Sequence, residues 1–258
     1  MRKLLTIAMA ALSVTTFAQT APTAKPSTNA AAIGNPYRSP KAGIVMCKGN
    51  GAAIVVADFR KTPTDLSETA AKISKFISAY VEIRRVPVEG DAIKAAFAER
   101  DKEGVAVVIA IADEGAASPS LSVFPEDRVA VVNAGRLAEG ADEALLEARI
   151  NKEVWRSMAF VLGGYASEHP CALKAVNSLE DLDKNCLSMT CPPVNFKAAD
   201  SARKFGVAPY GPVPYGIAVK RGVAPPPTND LQKAVWDRVM ADMAAAATNA
   251  PAATPPAK

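Results

Sequence analysis

The residue types that carry most enzyme chemistry are scarce in this chain of 258 residues. Histidine, the usual proton shuttle and metal ligand, occurs once, as His169 beside Pro170. Cysteine occurs at Cys47, Cys171, Cys186 and Cys191. A serine triad would have to be built on His169, and no nucleophile sits in a context that points to it. There is no Gly-x-Ser-x-Gly elbow, no phosphate loop, and no dinucleotide fingerprint after a strand. One charged residue stands out instead. Arg156 lies in the run Val154 to Leu162, which is otherwise apolar apart from Ser157, and a buried guanidinium requires a carboxylate or several carbonyls. An internal ion pair with Glu153 or Glu168 would meet that need.

Short, readable elements must position these groups. Ala52 to Phe59 (AAIVVADF) is a continuous apolar run of strand length, followed by the turn signal Pro63. Thr64 or Asp65 is placed to cap a helix whose Leu66, Ala70, Ile73, Ile77 and Tyr80 recur at helical spacing. Val81 to Val88 alternates apolar with charged residues, as a strand with one wet face does. A helix over Asp91 to Lys102 follows, then Val105 to Ala112 (VAVVIAIA) as a strand buried on both faces, and one more strand over Arg128 to Asn133. Ala141 to Leu162 is helical and, after Glu153, apolar nearly all round, which places it in the core until Gly163-Gly164 ends it. Later segments read as a short helix at Leu179 to Lys184 and another at Lys197 to Phe205. Rigid connectors follow at Pro209 to Tyr215 and Pro225 to Pro227. A last amphipathic helix, capped by Thr228 or Asn229, carries Leu231, Val235, Val239 and Met240 and docks onto the domain. The fold class is α/β: a twisted, mixed β-sheet packed with helices, with a Cys- and Pro-rich C-terminal half.

Composition agrees with one globular domain carrying unusual ends. The chain is 49% hydrophobic and 22% charged. Its net charge of +4 includes Arg2, Lys3 and Lys258, so the folded part is nearly neutral and has no basic stripe for nucleic acid. Arg2 and Lys3 precede an apolar run from Leu4 to Phe17, and Thr16-Phe17-Ala18 offers small residues where a signal peptidase reads. Residues 1–18 are read as a signal peptide, the run being shorter than the ~20 residues that span a bilayer. An exported protein, periplasmic or extracellular, with no membrane span after cleavage is expected. Residues 19–42 and 241–258, built of Ala, Thr, Pro and Asn, are expected to be a disordered linker and tail around a domain at 43–240.

The segment from Val129 to Val194 resembles the archaemetzincins, zinc metallopeptidases of metzincin-like fold. Ala130 to Leu137 (AVVNAGRL) is similar to the strand and Arg-Leu pair before that family's active-site helix. Arg149 and Lys152-Glu153 fall where the family has an arginine and a Lys-Glu pair ahead of its zinc motif. Cys171-Ala172-Leu173 resembles its Cys-x-Met, Asn177 to Lys184 (NSLEDLDK) is close to a run common there, and Cys191-Pro192-Pro193-Val194 stands where Cys-Pro-x-Cys belongs. The resemblance implies a single zincin-like domain.

It also implies a lost metal site. Aligned through Gly163, the positions of the HExxHxxGxxH ligands and general base hold Arg156, Ser157, Phe160 and Ala166. A guanidinium cannot ligate zinc and a serine cannot replace the carboxylate base. Leu173 replaces the methionine beneath the metal. Of the four thiolates of the second zinc site, Cys171 and Cys191 remain, with Ser167 and Val194 at the other positions. In an oxidising compartment the resemblance implies a Cys171–Cys191 disulfide, worth about 3 kcal/mol in the chain-entropy model. Cys47 and Cys186 are either a second bridge or two buried thiols. Glu153, Glu180, Asp181 and Asp183 read as helix ends and solvated faces rather than as a hard-metal site.

The expected function is therefore an exported, catalytically inactive metallopeptidase homologue without a cofactor, its cleft open to a peptide or protein ligand. For Arg156 the alternative to the internal ion pair is a cation presented in that cleft to an anionic or carboxylate group. The alternatives are a metallohydrolase whose altered site uses the cysteines and His169, and a purely structural exported protein.

Overall fold

Three apolar stretches decide the architecture of the computed structural model, which describes residues 34–38, 42–168, 171–186 and 192–248. The N-terminal half contains β1 (Ile44–Lys48), β2 (Ala53–Asp58), α1 (Ser67–Ile77), β3 (Val81–Arg85), α2 (Ala92–Arg100), β4 (Val105–Ala112), β5 (Leu121–Phe124) and β6 (Val129–Asn133). There follow α3 (Ala134–Leu137), α4 (Glu143–Val161), α5 (Leu179–Lys184), α6 (Pro192–Lys204), β7 (Tyr210–Pro214), α7 (Tyr215–Lys220) and α8 (Asp230–Thr248). The runs at β2, β4 and β6 are buried almost throughout. Strands apolar on both faces need cover on both faces, and they form the centre of a five-stranded sheet of order β3-β2-β4-β6-β5. All neighbours pair in parallel except β5, which returns antiparallel along β6 and makes the sheet mixed.

The strand period of two sorts the core into layers. Ile54, Val56, Ile109, Ile111 and Val132 face α1 and α4, where Ile73, Ile77, Val154 and Met158 complete one cluster. Ala53, Val55, Val108, Ala110 and Val131 face α2. The larger side chains lie under α4, and the edge of Phe76 on α1 meets Trp155 on α4 at 5.4 Å between ring centroids. The α/β architecture and mixed sheet expected from the sequence are present.

Several elements differ from expectation. Helix α1 starts after Leu66, because the Thr64 hydroxyl is taken by Arg60 and the Asp65 carboxylate by the Ser67 amide at 3.0 Å. Tyr80 is outside α1, which stops at Ser78 in a left-handed conformation, φ 50°. The Pro-rich PYGPVP segment is a strand, β7, paired antiparallel with β1. In a two-stranded ribbon both strands are edges, where proline is tolerated. The packed chain also extends past both ends of 43–240. Tyr37 donates its hydroxyl to Asp242 at 3.4 Å and lies under the Lys220 ammonium, and α8 continues to Thr248. Among the described residues, no helix is long and apolar enough to cross a membrane.

Ser78 is exposed, so its left-handed backbone is unsupported by side-chain packing. Ser78→Gly is expected to raise stability by about 0.5–1 kcal/mol, read as a higher urea midpoint at unchanged m-value. A lower midpoint would refute this account of the α1 terminus.

Candidate functional site

The residues singled out in the sequence converge on α4 and on what it touches. Its start is fixed by Asp142, which accepts from the Leu145 amide at 2.8 Å, with Glu143 in the first turn to favour the helix dipole. Arg149 lies one and a half turns in and is 5% exposed. It donates twice to the Asp183 carboxylate on α5, at 2.8 and 2.7 Å, and from Nη1 to the carbonyls of Leu137 and Glu139, each at 2.8 Å. The hydrogen bonds from Arg149 hold the Asp183 carboxyl below the usual carboxylate range. Lys152 adds bonds to the carbonyls of Leu182 and Asp183 at 3.0 and 2.5 Å. These two basic residues therefore fasten α4 to α5.

One turn further on is the buried ion pair. Arg156 Nε donates to Glu153 Oε2 at 3.0 Å, with side chains 7% and 1% exposed. Nη1 donates to the carbonyls of Ala172 and Lys174 at 2.8 and 3.0 Å, and Ser120 donates to Glu153 Oε1 at 3.5 Å. Burial pushes the Glu153 carboxyl above its ordinary value of 4.5, and the charge of Arg156 offsets only part of that. Of the two carboxylates considered for Arg156, Glu153 is the partner and Glu168 is exposed. The reading of Glu153 as a solvated-face residue is corrected, because its position on α4 faces the core. Glu180 and Asp181 do sit on a solvated helix end: Glu180 pairs with Lys184, and Asp181 accepts from the Asn177 amide at 3.1 Å.

A groove of about 390 Å³ runs between α4 and the edge strand β5. Ser120, Leu121 and Val123 line one side, and Glu153, Arg156 and Phe160 the other. The Arg156 guanidinium lies over the Phe160 ring at 5.7 Å. Ser157 is fully buried and turns its hydroxyl back to the Glu153 carbonyl at 2.6 Å, and Ala166 is exposed beyond the turn. Gly163 makes that turn at φ 88°, a conformation glycine adopts without strain. The structure thus joins Arg156, Phe160 and Glu153 in one groove, and neither Ser157 nor Ala166 lines it.

Zinc, which the resemblance implies, does not fit these residues. Arg156 offers only donors, Ser157 is committed to the helix backbone, and Phe160 supplies a ring. Among the described residues no group of three or more His, Cys, Asp or Glu side chains is placed to hold a metal ion. His169 and Cys191 lie outside the described residues. Cys171 is a buried thiol in the core beside Ala172 and Leu173, and its expected bond to Cys191 falls outside the described residues. Cys47 is a buried thiol directed at the Val223 carbonyl at 3.6 Å and forms no bridge to Cys186. The sequence reading missed β5, whose signal was the short LSVF run before the turn-forming Pro125-Glu126-Asp127.

Removing the charge of Arg156 leaves Glu153 buried without its counter-ion and the Lys174 carbonyl without its guanidinium donor, while Ala172 keeps only the Asn185 amide at 3.3 Å. Arg156→Met is expected to cost about 3–5 kcal/mol, measured by denaturant unfolding. A loss below about 1 kcal/mol would show that the pair is dispensable. Because the folded Glu153 pKa is raised, its contribution to stability is fully present below 4.5 and is lost as pH rises through the folded value. Glu153→Gln removes that dependence, so the stability of the native chain relative to the variant should fall between pH 4 and pH 8. A constant difference would contradict the shift.

No family model matches the chain, and no curated protein matches it. Solved structures do resemble the fold. The archaemetzincin of Methanopyrus kandleri is 16% identical, with a TM-score of 0.49 over 59% of this chain and 96% of that one. A zinc-dependent peptidase of Methanocorpusculum labreanum is 16% identical, with a TM-score of 0.45 over 57% of this chain and 100% of that one. The archaemetzincin of Archaeoglobus fulgidus, complexed with malonate, is 20% identical, with a TM-score of 0.42 over 56% and 99%.

Proposed function

We propose that this protein is an exported, catalytically inactive relative of the archaemetzincin-like zinc peptidases that keeps a groove for an extended peptide or protein segment. The observation that carries the reading is the replacement of the metal position by Arg156, whose guanidinium is bonded to Glu153, Ala172 and Lys174. A cation already occupies the place where the family resemblance puts a metal ion. Neither Ser157 nor Phe160 supplies a general base for water.

Support for binding comes from β5. Among the described residues it pairs with β6 alone, so its other edge presents backbone groups with no strand partner there. An extended segment can add to such an edge through main-chain bonds and place alternate side chains against Leu121, Val123 and Phe160. Arg156 then stabilises the groove floor rather than acting as its reactive group. The leader Arg2 to Ala18 supports export.

An intact native mass spectrum of the exported protein, with a denatured control, tests this. The expected mass is that of a leaderless chain without metal, and the protein should not hydrolyse peptides on addition of zinc. Stoichiometric zinc that is lost on denaturation would overturn the reading and direct attention to Cys171, Cys191 and His169.

A further inference from the structure

The parallel part of the sheet forms a second recess, remote in kind from the groove under β5. From β2 the chain passes through α1 to β3 on one side, whereas from β4 it proceeds toward β6 on the other. The loops leaving these adjacent strands therefore diverge. The gap between them is a topological switch point, where open α/β sheets receive ligands at the carboxyl ends of their strands. A cavity of about 370 Å³ lies there, lined by Arg60 and Lys61 after β2, Asp113 after β4, Gly135 and Ala138 after β6, and Ala92 at the start of α2. That volume falls in the small-molecule range of roughly 300–1,000 Å³. None of these residues lines the β5 groove.

Of the polar groups of this crevice, Arg60 is held in place before any ligand arrives. Asp58, 1% exposed, accepts from Arg60 Nε and Nη2 at 3.0 and 2.8 Å and from the Thr64 amide at 3.0 Å. Arg60 Nη2 also reaches the Thr64 hydroxyl at 2.5 Å, and Nη1 has no hydrogen-bond partner among the described residues. Lys61 pairs with Glu89 at 3.1 Å, but both side chains are more than four-fifths exposed. Such a pair is weak and leaves the ammonium available. On the β4 side, Gly135 approaches so closely that a Cβ there would fall 2.1 Å from Asp113 Oδ1, and the Gly115 amide donates to the same oxygen at 3.4 Å. Cationic donors from one loop and a carboxylate acceptor from the next describe a ligand with opposite polar ends.

We propose that this crevice binds a small organic anion. Its carboxylate or phosphate group meets Arg60 and Lys61, and its hydroxyl or ammonium group donates to Asp113. The site is independent of the β5 groove and of the binding proposed for it.

Amide NMR of the folded chain tests this, with phosphoethanolamine, 4-aminobutyrate and inorganic phosphate each titrated to about 10 mM. The first two probes distinguish a phosphate from a carboxylate ligand, and perturbation by either, confined to residues 60–62, 90–92, 113 and 135, is the expected result. Lys61→Glu and the crevice-filling Ala138→Phe should each weaken that binding about tenfold or more while leaving the remaining amide spectrum in place. Three outcomes would each overturn the proposal: no perturbation by either two-ended probe, binding unaffected by both variants, or inorganic phosphate binding as tightly as the better two-ended probe.

Discussion

The buried pair of Glu153 and Arg156 is the interaction on which the arrangement around α4 depends. Removing two charges from water costs several kcal/mol each, and attraction between them offsets this only when their remaining hydrogen-bonding groups are satisfied. Here Arg156 gives Nε to the carboxylate and Nη1 to the carbonyls of Ala172 and Lys174, and Glu153 receives the Ser120 hydroxyl. The pair therefore connects the core helix to the segment after the Gly163 turn through Arg156 and to the approach to β5 through Glu153. A metal ion linking the same elements would require ligands that point inward. The arginine instead supplies donors to carbonyls that are already there.

Arg149 repeats the device about two turns earlier with a different partner. Its fork grips Asp183 at two points and its Nη1 bonds the carbonyls that end α3. Together the two arginines hold the segment 172–184 against α4 without any disulfide among the described residues. Apolar packing by Leu173 and Leu182, both almost fully buried, fills the space between these polar fastenings.

The sheet gives the molecule two different kinds of opening. At the β5 edge, a strand that pairs with β6 alone among the described residues borders a groove walled by aliphatic side chains and a phenyl ring. At the carboxyl ends of β2 and β4, diverging loops leave a crevice lined by charges of both signs. The first follows from antiparallel addition of one strand, and the second from the reversal in the order of the parallel ones.

The central strands and α4 were legible in the sequence because burial on both faces leaves an uninterrupted run of Val, Ile and Ala, and helical burial leaves its own period. That Arg156 and Phe160 cannot ligate zinc was legible as well, since residue type alone decides it. Short edge elements were not. β5 has only partly buried residues, and β7 carries prolines that read locally as a rigid connector, so both depend on partners distant in sequence. The choice of Glu153 over Glu168 for Arg156, the grip of Arg149 on Asp183 and the crevice between β2 and β4 were decided by tertiary structure. Pattern along a chain encodes which face is buried, whereas an ion pair or a cavity depends on which separate segments the fold brings together.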